Sequence, residues 1–227
     1  MIDMLDQFRS SCVATLTTVL RGRGIPDAWM EGVVPLSPGQ PRIAGPAFTL
    51  RFVPLRGDLA TAEAVDGPQS PRAAIERMPD GCVVVVDALG HGGAGAFGDI
   101  MCARMRHRGV AGLVVDGAVR DKAGIGRLDW AVWSRSVAGP PGIAALLYAD
   151  EQVPVACGGV AVMPGDIIVA DQDGAVVVPQ AIAAEVAAEA ALKELFEDWA
   201  LGEVQSGMPI IGTYPPNEET LARYRAR

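Results

Sequence analysis

Two short runs of branched aliphatic residues constrain this chain most: CVVVVD at 82–87 and GLVVD at 112–116. Both are too short and too β-branched for buried helices, and both are bounded by glycine, so they read as strands buried on both faces. Between them lie a glycine-rich loop, residues 88–96, and a helical stretch, 98–108, which Gly109 closes. A helix starting at Gly98 directs unpaired N–H groups and a partial positive charge back toward that loop. The alternation of strand-like and helix-like segments points to the α/β class. At 227 residues, half of them apolar, the chain is long enough for a large core in one domain covering 1–227.

Other elements follow from periodicity. Phe8, Cys12, Leu16, Val19 and Leu20 recur at helical spacing and predict an N-terminal helix over 5–23. A short strand is expected at 31–34. Residues 42–55 predict a strand with Phe48, Leu50 and Phe52 on one side and Thr49, Arg51 and Val53 on the other, Pro46 marking an edge or bulge at its start. Helices are expected at 58–65 and at 71–78, the latter with Ser70 as cap and Pro71 at its first position. A third short strand is expected at 130–133. Pro140-Pro141 forbids a regular element within 136–148. Residues 153–162 read as a strand broken at Gly158-Gly159, and 166–171 with 175–178 as a hairpin turned by DQDG. An alanine-rich helix begins near 181, and 181–227 forms a C-terminal helix and tail.

Composition removes several function classes. A formal net charge of −8 gives no basic surface for phosphates, so no nucleic-acid partner is expected. No apolar run approaches the ~20 residues of a membrane span, so no membrane association is expected. Early acids in MIDMLDQFRSS argue against a signal peptide, and four scattered cysteines without a CxxC pair point to reduced thiols and a cytoplasmic location. His91 and His107 are the two histidines, too few for multi-histidine zinc sites; Lys122 and Lys193 are the two lysines, and Lys122 sits among charges unsuited to a Schiff base. His91 remains a candidate from the glycine loop.

The chemistry concentrates in GDIM at 98–101 and DGAVRD at 116–121. Glycines admit close backbone approach, and the helix start suits a carboxylate. Arg120 offers a planar fork for a carboxylate or an enolate oxygen, and Asp121 is a hard oxygen ligand for Mg²⁺ or Mn²⁺. The alternative reading is an ordinary strand-to-helix connection followed by a solvated Arg-Asp pair.

These two motifs resemble the RraA-like family, which unites the regulator of ribonuclease E activity with class II pyruvate aldolases acting on 4-hydroxy-4-methyl-2-oxoglutarate. Segments 10–20, 154–179 and 212–226 are similar too, the last to a longer subgroup labelled ribonuclease activity regulators. The resemblance implies a swivelling β/β/α fold, assembled as a homotrimer or as a hexameric dimer of trimers. It implies that Gly98, Asp99, Ile100 and Met101 bind a pyruvyl carboxylate through backbone amides, that Arg120 binds the keto acid, and that Asp121 ligates Mg²⁺ or Mn²⁺. The regulator branch lacks the acid after its arginine, so Asp121 puts this chain on the catalytic side. The implied activity is a metal-dependent aldolase releasing pyruvate, with oxaloacetate decarboxylation as a side activity. The competing expectations are a non-catalytic, protein-binding regulator and another keto-acid or sugar-acid lyase or isomerase. Glu31, Arg51 and Arg72 are candidates, by charge, for the distal end of the substrate.

Overall fold

The computed structural model describes residues 3–227. Its elements, in chain order, begin with α1 (Met4–Ser10), α2 (Val13–Gly22), β1 (Val34–Pro35), β2 (Ile43–Pro54), α3 (Ala62–Asp66) and α4 (Pro71–Arg77). The central part comprises β3 (Val83–Gly95), α5 (Asp99–His107), β4 (Gly112–Val119), α6 (Lys122–Gly126), β5 (Ala131–Val137) and β6 (Leu146–Glu151). The chain closes with β7 (Val155–Cys157), β8 (Val160–Val162), β9 (Ile167–Asp171), β10 (Gly174–Val178), α7 (Ala183–Gln205) and α8 (Glu218–Arg225).

An eight-stranded sheet in the order β1-β5-β4-β3-β2-β9-β10, with β6 also paired to β2, organises the molecule. The runs 82–87 and 112–116 lie in β3 and β4, paired in parallel with Val84 opposite Leu113 and Val86 opposite Val115. Strand periodicity then divides the apolar residues between two faces. Phe48, Leu50, Phe52, Val84, Val86, Leu113 and Val115 pack outward beneath α4, α5 and α6. Val83, Val85, Val114 and Trp133 point inward, against the β7–β8 hairpin and against Ala175 and Val177 of β10. The opposite faces of β9 and β10, with Ile167, Val169, Val176 and Val178, are sealed by α1, α2 and α7. Helices therefore cover two faces of a sheet that curls toward closure, the swivelling β/β/α arrangement.

The sequence expectations meet several local corrections. The helix predicted over 5–23 is two helices. The break at Ser11-Cys12 is held by side chains: Ser11 Oγ donates to Gln7 O, the Cys12 N–H donates to Glu194 Oε1, and the Cys12 thiol accepts from Thr15 N. Such local side-chain bonds compete with helix continuation. The helix expected at 58–65 forms only over Ala62–Asp66, where Thr61 caps Ala64 N. The short strand expected at 31–34 is instead Val34–Pro35, which pairs with Trp133 and Ser134. Pro46 lies inside β2, at the last pair with β9; pairing with β3 begins one residue later at Ala47, so its missing N–H costs no ladder bond there.

The glycine-rich segment 88–96 is not a free loop. β3 runs on through it to Gly95 with two register shifts, His91 pairing with Gly117 and Gly95 with Ala118. β5 likewise extends to Val137, and β6 occupies the end of the 136–148 region that the prolines left open. The DQDG hairpin forms as expected, with Gly174 at φ 116°.

Candidate functional site

β3 and β4 end together, and their ends build the site. Ala96 N donates to Ala118 O and Arg120 N donates to Phe97 O, both at 2.9 Å, so the segment leading into α5 is tied to the segment leading out of β4. Close approach requires glycine at two points. A Cβ on Gly95 would lie 2.7 Å from the Arg120 backbone nitrogen, and one on Gly98 would lie 2.5 Å from Asp121 Oδ2. Those distances are below any real carbon contact, so the two motifs found in the sequence interlock through their glycines. Gly98→Ala is expected to push the Asp121 carboxylate away from Arg120 Nε, 3.1 Å distant in the unaltered protein, because a Cβ has no room beside it; a crystal structure of the folded variant checks it.

Gly98 caps α5 with an extended backbone and no capping side chain. Cys102 N is the first amide bonded back, to Gly98 O, so the amides at 99–101 form the open end of the helix. Arg120 follows the last residue of β4. Asp121 then adopts the left-handed conformation, φ 55° and ψ 40°, which Asp tolerates better than most residues. That turn brings Asp121 Oδ2 to 3.1 Å from Arg120 Nε, although the two are adjacent in the chain. Both side chains are partly exposed, so the pair is accessible and contributes little to stability.

A cavity of about 180 Å³ opens beside this pair, lined by Gly95, Gly98, Met101 and Arg120 together with Phe52, Arg72, Ile143 and Tyr148, among others. Three predicted site residues, Gly98, Met101 and Arg120, thus share one cavity wall. The other three stand around it. The Asp99 carboxylate packs where a Cβ on Gly124 would be, Ile100 is exposed, and Asp121 borders Gly98 and Arg120. Of the charged candidates for a distal pocket, Arg72 lines the cavity; Glu31 and Arg51 do not. Neither His91 nor Lys122 lines it, and the His91 imidazole instead stands over Gly93.

Tyr148, Phe52 and Ile143 were invisible as site residues because nothing local marks them; the pairing of β6 with β2 sets Tyr148 opposite Phe52, and Ile143 lies in the helical turn just before β6. The Tyr148 hydroxyl donates to Glu151 Oε2 at 2.8 Å, and Arg77 grips the same carboxylate with Nε at 2.5 Å and Nη2 at 2.9 Å. Burial, aided by Glu151, pushes the Tyr148 phenol above its ordinary range, while the Arg77 hydrogen bonds hold Glu151 below the usual carboxylate range. The cavity wall therefore carries a neutral phenol. Behind the site, burial pushes the Cys102 thiol up to about 12, so it is a packing residue and not a nucleophile.

A second unpredicted cluster braces the strand ends. Asp116 pairs with Arg135 and accepts from Gly158 N at 2.9 Å, while Asp87 accepts from Leu89 N and Ala156 N. These carboxylates pin the β7–β8 hairpin across the ends of β3 and β4.

Among the described residues, no group of three or more His, Cys, Asp or Glu side chains could hold a metal ion. A hard cation that keeps most of its waters and sits on one carboxylate needs no such group. Asp121 fits that description: one oxygen is engaged by Arg120 and the side chain is open to solvent. No described helix is long and apolar enough to cross a membrane.

The family model described as RraA-like, aldolase/RraA, matches residues 13–177. The chain belongs to the RraA-like family. A candidate 4-hydroxy-4-methyl-2-oxoglutarate aldolase of Halalkalibacterium halodurans is 32% identical over 183 residues, 79% of this chain and 78% of that protein. Protein DlpA of Legionella pneumophila is 30% identical over 207 residues, 91% of this chain; the chain spans only 32% of DlpA. Among solved structures, RraAS2 of Streptomyces coelicolor, described as an unusual member of the RNase ES inhibitor RraA family, superposes with a TM-score of 0.78 at 33% identity. That match covers 87% of this chain and 94% of RraAS2. The RraA-like family thus includes relatives with an aldolase name and relatives named as regulators.

Proposed function

We propose that this RraA-like protein is a divalent-metal-dependent lyase that cleaves 4-hydroxy-2-oxo acids to release pyruvate and decarboxylates oxaloacetate. One observation carries the reading: the open amides at the start of α5, the Arg120 guanidinium and the Asp121 carboxylate meet at the edge of one small cavity. The amides at 99–101 hold the substrate carboxylate. Arg120 provides a fixed positive charge at the keto oxygen, where negative charge develops as the C3–C4 bond breaks; in a 4-hydroxy-2-oxo acid the C4 hydroxyl gives up its proton to water, C4 leaves as a carbonyl, and the enolate takes a proton at C3 to become pyruvate. For oxaloacetate that bond change expels CO₂, and the enolate takes a proton at C3 to become pyruvate. Asp121 would hold Mg²⁺ or Mn²⁺, which when bound supplies Lewis acidity at the keto group. The apolar wall of Phe52, Met101 and Ile143 limits water around the developing charge.

A homotrimer or a dimer of trimers is the assembly proposed, in line with the implied family architecture. The test is pyruvate formation from oxaloacetate, followed with a coupled dehydrogenase, with and without Mg²⁺ or Mn²⁺. Metal-dependent release, lost on chelation and restored on metal addition, is expected. The likeness to RraAS2 favours a second reading, a protein-binding regulator of ribonuclease activity. A folded protein that shows no metal-dependent turnover and binds a ribonuclease establishes that reading in place of the first.

A further inference from the structure

A second cavity, of about 450 Å³, shares no lining residue with the one beside Arg120. Its volume falls within the roughly 300–1,000 Å³ of small-molecule sites. Three segments wall it: the start of α2, the second half of α7, and the tail that follows α7. Ala200, Leu201, Val204 and Ile210 give it an apolar surface. Leu201 and Ile210 are each 57% exposed, so a ligand seated here would cover apolar area now facing water.

Carboxylates give the cavity its charge. Glu194, Glu197 and Asp198 line it from one side of α7, and among the described lining residues there is no lysine or arginine. Glu197 is already engaged: Oε2 accepts from Thr15 Oγ1 at 2.9 Å, and Oε1 accepts from the Tyr214 hydroxyl at 2.6 Å and pairs with Lys193 Nζ at 2.9 Å. Among the described residues it is the one of the three with an ion pair. Glu194 accepts from the Cys12 N–H at 3.2 Å, and Asp198 is exposed. Four residues apart, Glu194 and Asp198 are neighbours on the helix surface, where like charges repel. The three carboxylates do not converge as a metal site, since no such group exists among the described residues.

Charge selects the occupant. An anion is repelled, and a neutral apolar ligand would cover the acids without pairing them, which costs free energy. A second copy placed by a twofold axis would set this acidic patch against itself. An ammonium head on an apolar tail meets both surfaces at once.

We propose that this cavity is a second ligand site, which takes a primary amine with an apolar tail. The ammonium pairs with Glu194 and Asp198, and the tail lies on Leu201, Val204 and Ile210. The inference is independent of the lyase reading, because the two cavities have no residue in common.

The test is calorimetric titration of the full chain at neutral pH with three probes that share one hydrocarbon tail: hexylammonium, hexan-1-ol and hexanoate. Hexylammonium is expected to bind about tenfold tighter than hexan-1-ol or better, the scale of a charge-assisted hydrogen bond, and hexanoate is expected not to bind. The preference collapses in the double variant Glu194→Gln, Asp198→Asn. Glutamine at 194 keeps an oxygen for the Cys12 N–H, so the break before α2 is preserved. Ala14→Leu, at an exposed lining position, fills the cavity and is expected to abolish amine binding. Equal binding of amine and alcohol, an amine preference that survives the double variant, or no binding of hexylammonium overturns the proposal. In the last case a basic amphipathic peptide that binds, or an oligomer that dissociates in Ala14→Leu, assigns this face to a protein partner or to a second copy instead. Thermal melts followed by circular dichroism show that the variants are folded.

Discussion

On the proposed lyase reading, Asp121→Asn is expected to lower metal-dependent pyruvate release from oxaloacetate by about 10²–10³-fold with the fold unchanged, the range seen when one charge-stabilising group is removed from a reaction centre. Asparagine is the informative substitution because it tolerates the left-handed backbone found at this position, φ 55° and ψ 40°. The Asn side chain still offers an oxygen to Arg120 Nε, which now stands 3.1 Å from Asp121 Oδ2. What the change removes is the negative charge that a hard divalent cation requires. The rate is measured with a coupled dehydrogenase across a Mg²⁺ titration, beside a thermal melt. A rate within threefold of the unaltered protein at saturating metal means that the cation is held elsewhere.

Trp133→Ala is expected to cost about 3–5 kcal/mol of unfolding free energy, as large aromatic truncations in packed cores do. Trp133 is fully buried on the inner face of the sheet, and its Nε1 donates to Asp171 O at 2.7 Å, so it links β5 to the β9–β10 turn across the interior. Alanine leaves a cavity in the cluster around Trp133 and removes its hydrogen bond to the Asp171 carbonyl. Against a typical total of about 5–15 kcal/mol, the loss leaves a marginal fold. Trp133→Phe keeps most of the packing and is expected to cost about 1–3 kcal/mol, mainly the unmet hydrogen bond. Urea unfolding followed by circular dichroism measures both. A cost below 1 kcal/mol for the alanine variant refutes the role of this residue in closing the sheet.

The two motifs 98–101 and 116–121 were legible as chemistry because each is local: glycines before a helix start, and Arg-Asp after a buried strand. Their joining was legible only through family resemblance, since the contacts that make it, Arg120 N to Phe97 O and the approach of Asp121 to Gly98, span more than 20 residues. Arg72 carried no local signal beyond its charge. It belongs to the cavity because α4 packs on the same sheet face as α5 and thereby meets residues 95–101. Tyr148 sits in a stretch after Pro140-Pro141 that has no readable periodicity, and its place comes from antiparallel pairing with Phe52.

By itself the sequence determined the α/β class, the two central strands, the faces of β2 and the hairpin at DQDG. All of these depend on neighbours within a turn or along one strand, where the alternation of side chains and the needs of tight turns are written residue by residue. Tertiary structure alone decided that residues 88–95 stay in the sheet, that the N-terminal helix breaks at Cys12 against Glu194, and that Asp121 turns back onto Arg120. It also decided that Arg72 and Arg120, far apart in the chain, line one cavity. Each of these follows from contacts between segments far apart in the chain, which form only once burial of the sheet faces has brought those segments together.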